Sequence, residues 1–205
     1  SPPPSIHLNT PQIGDIPSHT KSCRERTSKV KGVNKAASTP ANTPALAALA
    51  HTSLNYRVHT YENESEHYGQ EAAQVMVDRL GIEPEQIYKT LIIELSGTLA
   101  PGESPLAVAI VPVTTTLTVK KAATALGAHK ARMAAVALAE KTTGYVAGGI
   151  SPLGQKRALR TVIDESALLW DTIFVSGGRR GCDLEIAPGD LITLTNAIVA
   201  DIAAQ

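Results

Sequence analysis

Residues 144–157 read GYVAGGISPLGQKR, and this stretch gathers four glycines, one proline and one serine around a single bend. An ordinary turn needs only one or two such residues. The excess therefore predicts a backbone that adopts unusual dihedral angles while another group approaches it closely. Paired glycines let main-chain N–H groups turn inward and form an anion- or oxyanion-binding concavity. A tight loop where strands cross explains the same residues equally well, and the stretch alone leaves both interpretations open.

The segments on either side of this loop predict an α+β fold. Helical spacing is present in ALAALAH, GQEAAQVMVDRLG, TVKKAATALGAH, ALAEKTTG and PGDLITLTN. Strand-like runs are YRVHTY, TVID, TIFVS, CDLEIA and AIVADI, with a GGRRG turn before CDLEIA. YKTLIIEL and LAVAIVPV, joined by a segment with glycine and proline, predict a β-hairpin. Together these runs predict a mixed, mostly antiparallel, curved sheet of about six or seven strands flanked by short helices.

Length and charge predict one folded domain with a basic appendage. The chain has 205 residues, and its 19 basic residues equal its 19 acidic ones, so the overall charge does not indicate nonspecific nucleic-acid binding. Aromatic residues make up only 3%, which argues against stacking platforms for several bases. Residues 1–42 carry six Lys/Arg against two Asp/Glu and lack periodicity, so we expect a disordered extension before a domain at 43–205. This extension either contacts a polyanion or only increases solubility.

Cysteine usage and hydropathy indicate a cytoplasmic protein. Cys23 and Cys182 are the two cysteines and imply no disulfide framework. No apolar run has the length of a membrane span, and the start of the chain lacks a secretory signal, so no membrane partner is expected. The histidines form no spaced ligand cluster, and HEXXH and CXXC patterns are absent, so neither a metal nor another cofactor is expected.

Several residues have side chains capable of chemistry, but each also has an ordinary structural explanation. Lys89 near the start of a strand either faces solvent or reaches a phosphate or ester oxygen. Asp183 and Glu185 alternate along one strand and share a face, where they either hold an ammonium group or are simply exposed. Cys182 is more readily a small buried apolar residue than a nucleophile.

Several separated blocks resemble, in order, the YbaK family of aminoacyl-tRNA editing proteins. They are TPALAAL, HTYE with HYGQEAA, YKTLII, KKAATALGAHK, TGYVAGGISPLGQK and IFVSGGRRGCDLEIAPGDL. The resemblance covers residues 43–205 and implies a single YbaK-like domain. Cys182 departs from the aliphatic residue expected at its position, and the N-terminal extension has no counterpart in the shortest members.

The resemblance also implies the residues of a site. It gives catalytic roles to Lys89, Tyr61, Gly149, Ser151 and Asp183, and substrate-binding roles to Gly148, Ile150, Pro152 and Thr90. The amides around Gly149 and the Ser151 hydroxyl would bind the ester carbonyl oxygen. Lys89 would bind the terminal phosphate or ribose, Asp183 the α-ammonium group, and Tyr61 would align the pocket.

The implied activity is deacylation of mischarged Cys-tRNA(Pro), with the aminoacylated 3′ end of the tRNA approaching the glycine loop. The substrate thiol would attack its own ester carbonyl, so no protein nucleophile would be needed. The implied partners are aminoacyl-tRNA and, transiently, prolyl-tRNA synthetase. Alternatives are the same fold acting on another small noncognate cargo such as Ala-tRNA(Pro), and a noncatalytic tRNA-binding module.

Overall fold

The predicted β-hairpin lies at the centre of the computed structural model, which describes residues 42–61, 70–97 and 99–204. Strand β2 (Tyr88–Ser96) pairs antiparallel with strand β3 (Leu106–Pro112), with Tyr88 opposite Pro112 and Glu94 opposite Leu106. All seven residues of β3 are buried, so this strand has apolar neighbours on both of its faces. The hairpin prediction is confirmed.

The predicted helices are all present in the described part of the chain, and the expected residues end several of them. They are α1 (Pro44–Ala50), α2 (Gln70–Leu80), α3 (Val119–Ala125), α4 (Val136–Thr143) and α5 (Pro188–Thr195). The Thr43 hydroxyl caps α1 by accepting from the N–H of Leu46 at 3.2 Å. Gly144, at φ +82°, ends α4 in the left-handed conformation that glycine adopts without strain.

Ten strands form three sheets in the part of the chain that the structure describes. The remaining strands are β1 (Tyr56–Thr60), β4 (Thr116–Leu117), β5 (Lys130–Met133), β6 (Arg160–Asp164), β7 (Ile173–Arg179), β8 (Cys182–Ile186), β9 (Ile198–Ala200) and β10 (Ala203–Ala204). The largest sheet has the order β5-β2-β3-β6-β9, a second has β1-β8-β7, and β10 pairs with β4. β6 runs parallel to β3 and to β9, while the other strand pairs are antiparallel. The α+β class with mixed, mostly antiparallel strand pairing is confirmed, whereas the strands expected in one sheet of about six or seven are divided among sheets of five, three and two.

Two local expectations differ from the structure. The predicted GGRRG turn is shorter, because β7 continues through Gly177 and Gly178 to Arg179. A Cβ atom at Gly177 would lie 2.7 Å from the Cys182 sulfur, so the strand contains glycine where its neighbour approaches closely. Strand β5 was not expected, because its sequence KARM has only four residues and lies mostly exposed at a sheet edge.

The large sheet has an apolar layer on each face. Ile92 and Ile110 belong to one buried cluster, whereas their neighbours Ile93 and Val111 belong to another, as strand alternation requires. A third cluster contains Met76 of α2, with Ile87 and Phe174, and partly buried Tyr61 packs against it. An isolated parallel bridge between Ile87 and Phe174 places the start of β2 beside β7. A cavity opens at this junction of the two sheets.

The described residues belong to one compact unit that spans Ser38–Gln205. Most of the predicted N-terminal extension lies outside the described residues, so its disorder and its boundary at residue 42 stay predictions. None of the helices within 42–61, 70–97 and 99–204 is long and apolar enough to cross a membrane.

The carboxylate of Asp164 ties the C-terminal segment to the end of β6. One oxygen accepts from the Ser166 N–H at 3.1 Å and the Ser166 hydroxyl at 2.6 Å. The other accepts from the N–H groups of Ile202 at 2.9 Å and Ala203 at 2.8 Å. Burial opposes ionisation, but these donors hold the pKa of Asp164 below its ordinary value. The ionised carboxylate therefore stabilises the folded state.

Replacing Asp164 by Asn is expected to lower the free energy of unfolding by about 1–3 kcal/mol, because the amide NH₂ must face a donor whichever way it turns. Because the pKa of Asp164 is lower in the folded state than in the unfolded state, its carboxylate stabilises the folded state. This stabilisation has its full value above the unfolded-state pKa and is lost as pH falls through the folded-state pKa. Urea unfolding should therefore show the difference at neutral pH and its decrease in strong acid. Asp171→Asn, at an exposed position, is the control and should change the unfolding free energy by less than about 0.5 kcal/mol.

Candidate active site

A cavity of about 380 Å³ lies between the two larger sheets and the loop after α4. Most of the residues that the sequence singled out line it. These are Tyr61, Lys89, Thr90, Gly148, Ile150 and Asp183. The start of β2 supplies the lysine and threonine, β8 the aspartate, and the glycine-rich loop the remaining wall. A chain segment of about 120 residues thus separates groups that the fold brings together.

Lys89 is partly buried, and the acceptors described for its ammonium group are uncharged carbonyl oxygens. Its Nζ donates to the main-chain carbonyl of Thr115 and, at 3.4 Å, to that of Val113. Burial lowers the pKa of Lys89 below its ordinary value. An ammonium group has three donors. Two of them are used by these carbonyls, and Lys89 also lines the cavity.

Tyr61 and Asp183 form a hydrogen-bonded pair on the cavity wall. The Tyr61 hydroxyl donates to Asp183 Oδ2 at 2.8 Å, and the Tyr61 N–H donates to the Gly181 carbonyl at 2.9 Å. Burial raises the pKa of Asp183 to about 6, although the Tyr61 hydroxyl and the nearby His59 favour its ionised form. Burial and the Asp183 charge both raise the pKa of Tyr61. The tyrosine therefore stays protonated and acts as a donor, not as a base.

A second polar pair lies beside this one and was not predicted from the sequence. His59, opposite Asp183 in the β1–β8 register, has Nε2 at 2.8 Å from Glu185 Oε2, and Thr172 donates to the other Glu185 oxygen at 3.1 Å. Burial raises the pKa of Glu185, but the bonds from His59 and Thr172 outweigh it and hold this pKa below its ordinary value. The two acids on β8 therefore have opposite pKa shifts.

The glycine-rich loop contains two amides for which the described part of the chain offers no acceptor. Gly148 adopts φ +83°, the left-handed region, and both Gly148 and Ile150 line the cavity. Within the described ranges, neither the Gly148 N–H nor the Ile150 N–H has a hydrogen-bond acceptor. The Gly149 N–H instead donates to the Val146 carbonyl at 3.0 Å, so it closes the turn. The loop therefore offers donors on either side of Gly149 rather than at Gly149 itself.

Ser151 and Pro152 are buried and are not among the residues that line the cavity. The Ser151 hydroxyl accepts from the Leu153 N–H at 3.3 Å, and the Ser151 carbonyl accepts from the Gln155 side chain at 2.9 Å. This placement gives both residues a part in fixing the loop and does not support a hydroxyl donor aimed at a ligand. Thr90 differs, because its hydroxyl is buried at the cavity without a described partner.

Other lining residues were missed by the sequence reasoning. Ser176 and Arg179 of β7, Ala73 of α2, and Val113 also face the cavity. Ser176 pairs with Asp183 across β7–β8, so pairing the predicted strands TIFVS and CDLEIA across their glycine-rich turn was the signal that could have indicated it. Among the described residues, no group of three or more His, Cys, Asp or Glu side chains is arranged to hold a metal ion.

The comparisons with known proteins identify the family. The model of the family described as "Aminoacyl-tRNA editing domain" matches residues 67–194, which is more than half of the chain. The chain belongs to the aminoacyl-tRNA editing domain family. The match begins between β1 and α2 and ends in α5, so it contains the cavity wall formed by β2, the glycine loop, β7 and β8.

One similar protein shares sequence with this editing domain, and two solved structures share its fold. A protein of Enterococcus faecalis named "Putative Cys-tRNA(Pro)/Cys-tRNA(Cys) deacylase EbsC" is 33% identical over 167 residues, covering 82% of this chain and 96% of that protein. A crystal structure described as "a putative trans-editing enzyme for prolyl tRNA synthetase" has a TM-score of 0.66 and 23% identity, covering 79% of this chain and 96% of that one. The hypothetical protein APE2540 has a TM-score of 0.65 and 22% identity, covering 78% and 99%.

Gly149 of the glycine-rich loop lies very close to the backbone of the β7–β8 turn. A Cβ atom at Gly149 would lie 2.9 Å from the backbone Cα and C of Arg179 and 3.0 Å from the N of Arg180. These are backbone atoms that cannot turn aside as a flexible side chain does. The loop therefore rests directly on the turn between β7 and β8, and the absence of a side chain at Gly149 permits this packing.

Gly149→Ala is expected to lower the free energy of unfolding by about 1–3 kcal/mol, because the methyl group forces the loop and the β7–β8 turn apart. Urea unfolding measures this loss. Gly189→Ala is the matched control, since nothing lies within 4 Å of a Cβ there and the residue is helical. It should be neutral or stabilising by up to about 1 kcal/mol. Equal effects of the two changes would contradict the close approach.

Asp183→Asn should stabilise the folded state at neutral pH, while Glu185→Gln should destabilise it. Because the folded-state pKa of Asp183 is raised to about 6, its ionisation lowers the free energy of unfolding as pH rises from the unfolded-state pKa to about 6. An amide cannot ionise, so Asn removes this loss, and its oxygen still accepts from the Tyr61 hydroxyl. The full shift corresponds to at most about 3 kcal/mol. Glu185, with its lowered pKa, contributes stability above its unfolded-state pKa. Urea unfolding at pH 4 and pH 7 tests both signs, and a shared sign would contradict this electrostatic description.

Proposed function

We propose that this editing-domain protein is a trans-editing deacylase that clears mischarged Cys-tRNA(Pro). The single observation that carries the proposal is the cavity that combines two free loop amides, a lysine and an acid within a chain of the editing family. The name of the Enterococcus faecalis relative supports cysteine as the cargo. Editing is needed because one small group in an apolar pocket discriminates by only about 1–3 kcal/mol.

The N–H groups of Gly148 and Ile150 bind the ester carbonyl oxygen. Both lack an acceptor among the described residues, and both belong to a wall of the cavity. Donors fixed in advance stabilise the negative charge that develops on this oxygen in the transition state. This assignment moves the oxyanion role from Gly149 and Ser151 to their neighbours, while Gly149 and Pro152 keep the loop in shape.

Lys89 and Asp183 bind the two ends of the aminoacyl-adenosine. The Lys89 ammonium, whose described acceptors are carbonyl oxygens, attracts the terminal phosphate or a ribose oxygen. Asp183, aligned by the Tyr61 hydroxyl, binds the α-ammonium group of the cargo. A cationic ligand lowers the pKa of this acid and keeps it ionised at neutral pH. The Thr90 hydroxyl provides a further donor or acceptor for the ribose.

The cargo thiol supplies the nucleophile. Its sulfur forms a bond to the ester carbonyl carbon, the bond from that carbon to the ribose oxygen breaks, and the thiol proton goes to the ribose oxygen. The products are a thiolactone, which water later opens, and deacylated tRNA. Because the ester is already activated, positioning and charge stabilisation are sufficient. The cavity accordingly requires no protein nucleophile.

The substrate is presented in a transient complex with prolyl-tRNA synthetase and its tRNA. The description of the similar crystal structure as a trans-editing enzyme for that synthetase supports this partnership. With identity supplied by the synthetase, the editor needs few contacts to nucleotide sequence, which agrees with 3% aromatic residues and zero formal net charge.

The test is a deacylation assay with tRNA(Pro) charged with Cys, S-methyl-Cys, Ala or Pro, and with Cys-tRNA(Cys). We expect many turnovers on Cys-tRNA(Pro), none on the S-methyl and Pro forms, and a loss of at least about 100-fold in Lys89→Met. Lys89→Arg, which keeps the charge but changes its shape, should recover only part of the rate.

The other outcomes separate the alternatives. Equal release of Ala and Cys, unaffected by S-methylation, would replace thiol assistance by water attack and widen the cargo range. Release of no more than one equivalent would indicate a tRNA-binding module instead of an enzyme. Equal rates on both cysteinyl-tRNAs would assign tRNA choice to the synthetase.

A further inference from the structure

The main chain of Ala147, at the edge of the cavity, is held at both of its polar atoms by charged side chains. Its N–H donates to Glu140 Oε1 of α4 at 2.8 Å. Its carbonyl accepts from Arg180 Nε at 3.0 Å and Nη2 at 2.8 Å. These partners come from the helix before the loop and from the turn between β7 and β8. Two separate elements thus fix one residue of the cavity wall.

The Arg180 contact determines the orientation of the next amide. The Ala147 carbonyl and the Gly148 N–H belong to one planar trans peptide, so they point in opposite directions. A guanidinium that grips the carbonyl with two donors therefore fixes the direction of the Gly148 N–H. Gly148 at φ +83° has wide conformational freedom of its own, so this direction needs an external constraint.

The same contact also strengthens the amide as a donor. A hydrogen bond from a cation to a peptide carbonyl is charge-assisted, and it polarises the peptide so that its N–H carries more positive charge. Glu140 holds the preceding peptide at its N–H, which prevents that peptide from rotating together with Gly148. Gly149, seated on the Arg179 backbone, limits movement on the other side.

We propose that Arg180 and Glu140 are positioning residues for deacylation, with Arg180 orienting and polarising the Gly148 amide and Glu140 fixing the peptide before it. This inference rests on the proposed function, because it gives the amide an oxyanion to stabilise. Neither side chain needs to touch the substrate. Their contribution belongs to the transition state, so it should be lost from kcat more than from KM.

The competing role for Arg180 is binding of tRNA phosphates, since its side chain is exposed. Phosphate binding predicts a raised KM, a weaker salt dependence of binding, and good replacement by lysine. Positioning predicts a lowered kcat and only partial rescue by lysine, whose single ammonium cannot form the two-donor grip on a carbonyl. Arg157, an exposed cation at the end of the same loop, serves as the matched control.

The experiment compares Arg180→Met, Arg180→Lys and Arg157→Met on Cys-tRNA(Pro) and on a minimal cysteinyl ester of adenosine. We expect Arg180→Met to lower kcat by at least about tenfold on both substrates, because the minimal ester lacks the upstream phosphates. Arg180→Lys should fall between Arg180→Met and the unmodified chain. Arg157→Met should leave kcat on both substrates unchanged. A raised KM for tRNA with unchanged kcat, or a normal rate on the minimal ester, would overturn the positioning role.

Glu140 is tested by a pair of variants and a double mutant. Glu140→Gln keeps an oxygen that accepts from the Ala147 N–H, so it should retain more kcat than Glu140→Ala. The double variant Glu140→Ala/Arg180→Met should lose less than the product of the two single losses, since both act on the same loop. Fully multiplicative losses would show that the two residues act separately and would overturn their joint assignment.

A readout without catalysis keeps this inference distinct from the proposed function. In ¹H–¹⁵N spectra of the full chain, Arg180→Met should shift the Gly148 amide resonance, and Glu140→Ala should accelerate hydrogen exchange at the Ala147 amide. Arg157→Met should change neither. If the unmodified chain fails to deacylate any charged tRNA, the proposed function fails while these spectra still report on the loop. An unchanged Gly148 resonance in Arg180→Met would overturn the orienting contact itself.

Discussion

The direct contact between the backbone of the glycine loop and the backbone of the β7–β8 turn is the constraint on which the site depends. A side chain at Gly149 would occupy space within 3 Å of the Arg179 main chain, so the loop reaches its place only without one. This contact sets the position of the Gly148 and Ile150 amides, which have no acceptor among the residues described, relative to Asp183, which lies two residues beyond the turn. The two loop amides and the Asp183 carboxyl, to which we assign substrate contacts, are therefore held by a single local packing arrangement.

Further close approaches connect this contact to the rest of the domain. A Cβ at Gly154 would lie 2.4 Å from the Pro44 backbone, and Gly178 lies against Tyr145 and Thr43. The Tyr145 hydroxyl donates to the Leu153 carbonyl at 2.7 Å, which closes the loop upon itself. The first helix thus packs against both the loop and β7. The four glycines of the loop consequently serve several purposes: Gly149 and Gly154 allow backbone contacts, Gly144 ends a helix, and Gly148 turns an amide.

The sequence predicted the elements well because their signals are local. Helix-ending glycines, the Thr43-Pro44 start and the two apolar strands of the hairpin each depend on a few neighbouring residues. The family resemblance further indicated Lys89, Tyr61 and Asp183, which share one cavity. The direction of the amides was not predictable in this way. Whether Gly149 donates to Val146 or to a ligand depends on the φ and ψ angles of the residues between Val146 and Gly149. The His59–Glu185 pair also joins strands 126 positions apart, beyond the reach of periodicity.

The charge arrangement in the cavity suits the two-ended ligand that we propose. Lys89 keeps its charge beside carbonyl dipoles, and Asp183 carries a raised pKa because burial deprives its charged form of water. The charge of each group is therefore less well stabilised by its surroundings than it would be in a direct ion pair. A ligand with a phosphate or ribose at one end and an ammonium at the other improves the surroundings of both. Because such a ligand would lower the electrostatic cost of burying both charged groups, its binding would also stabilise the folded state.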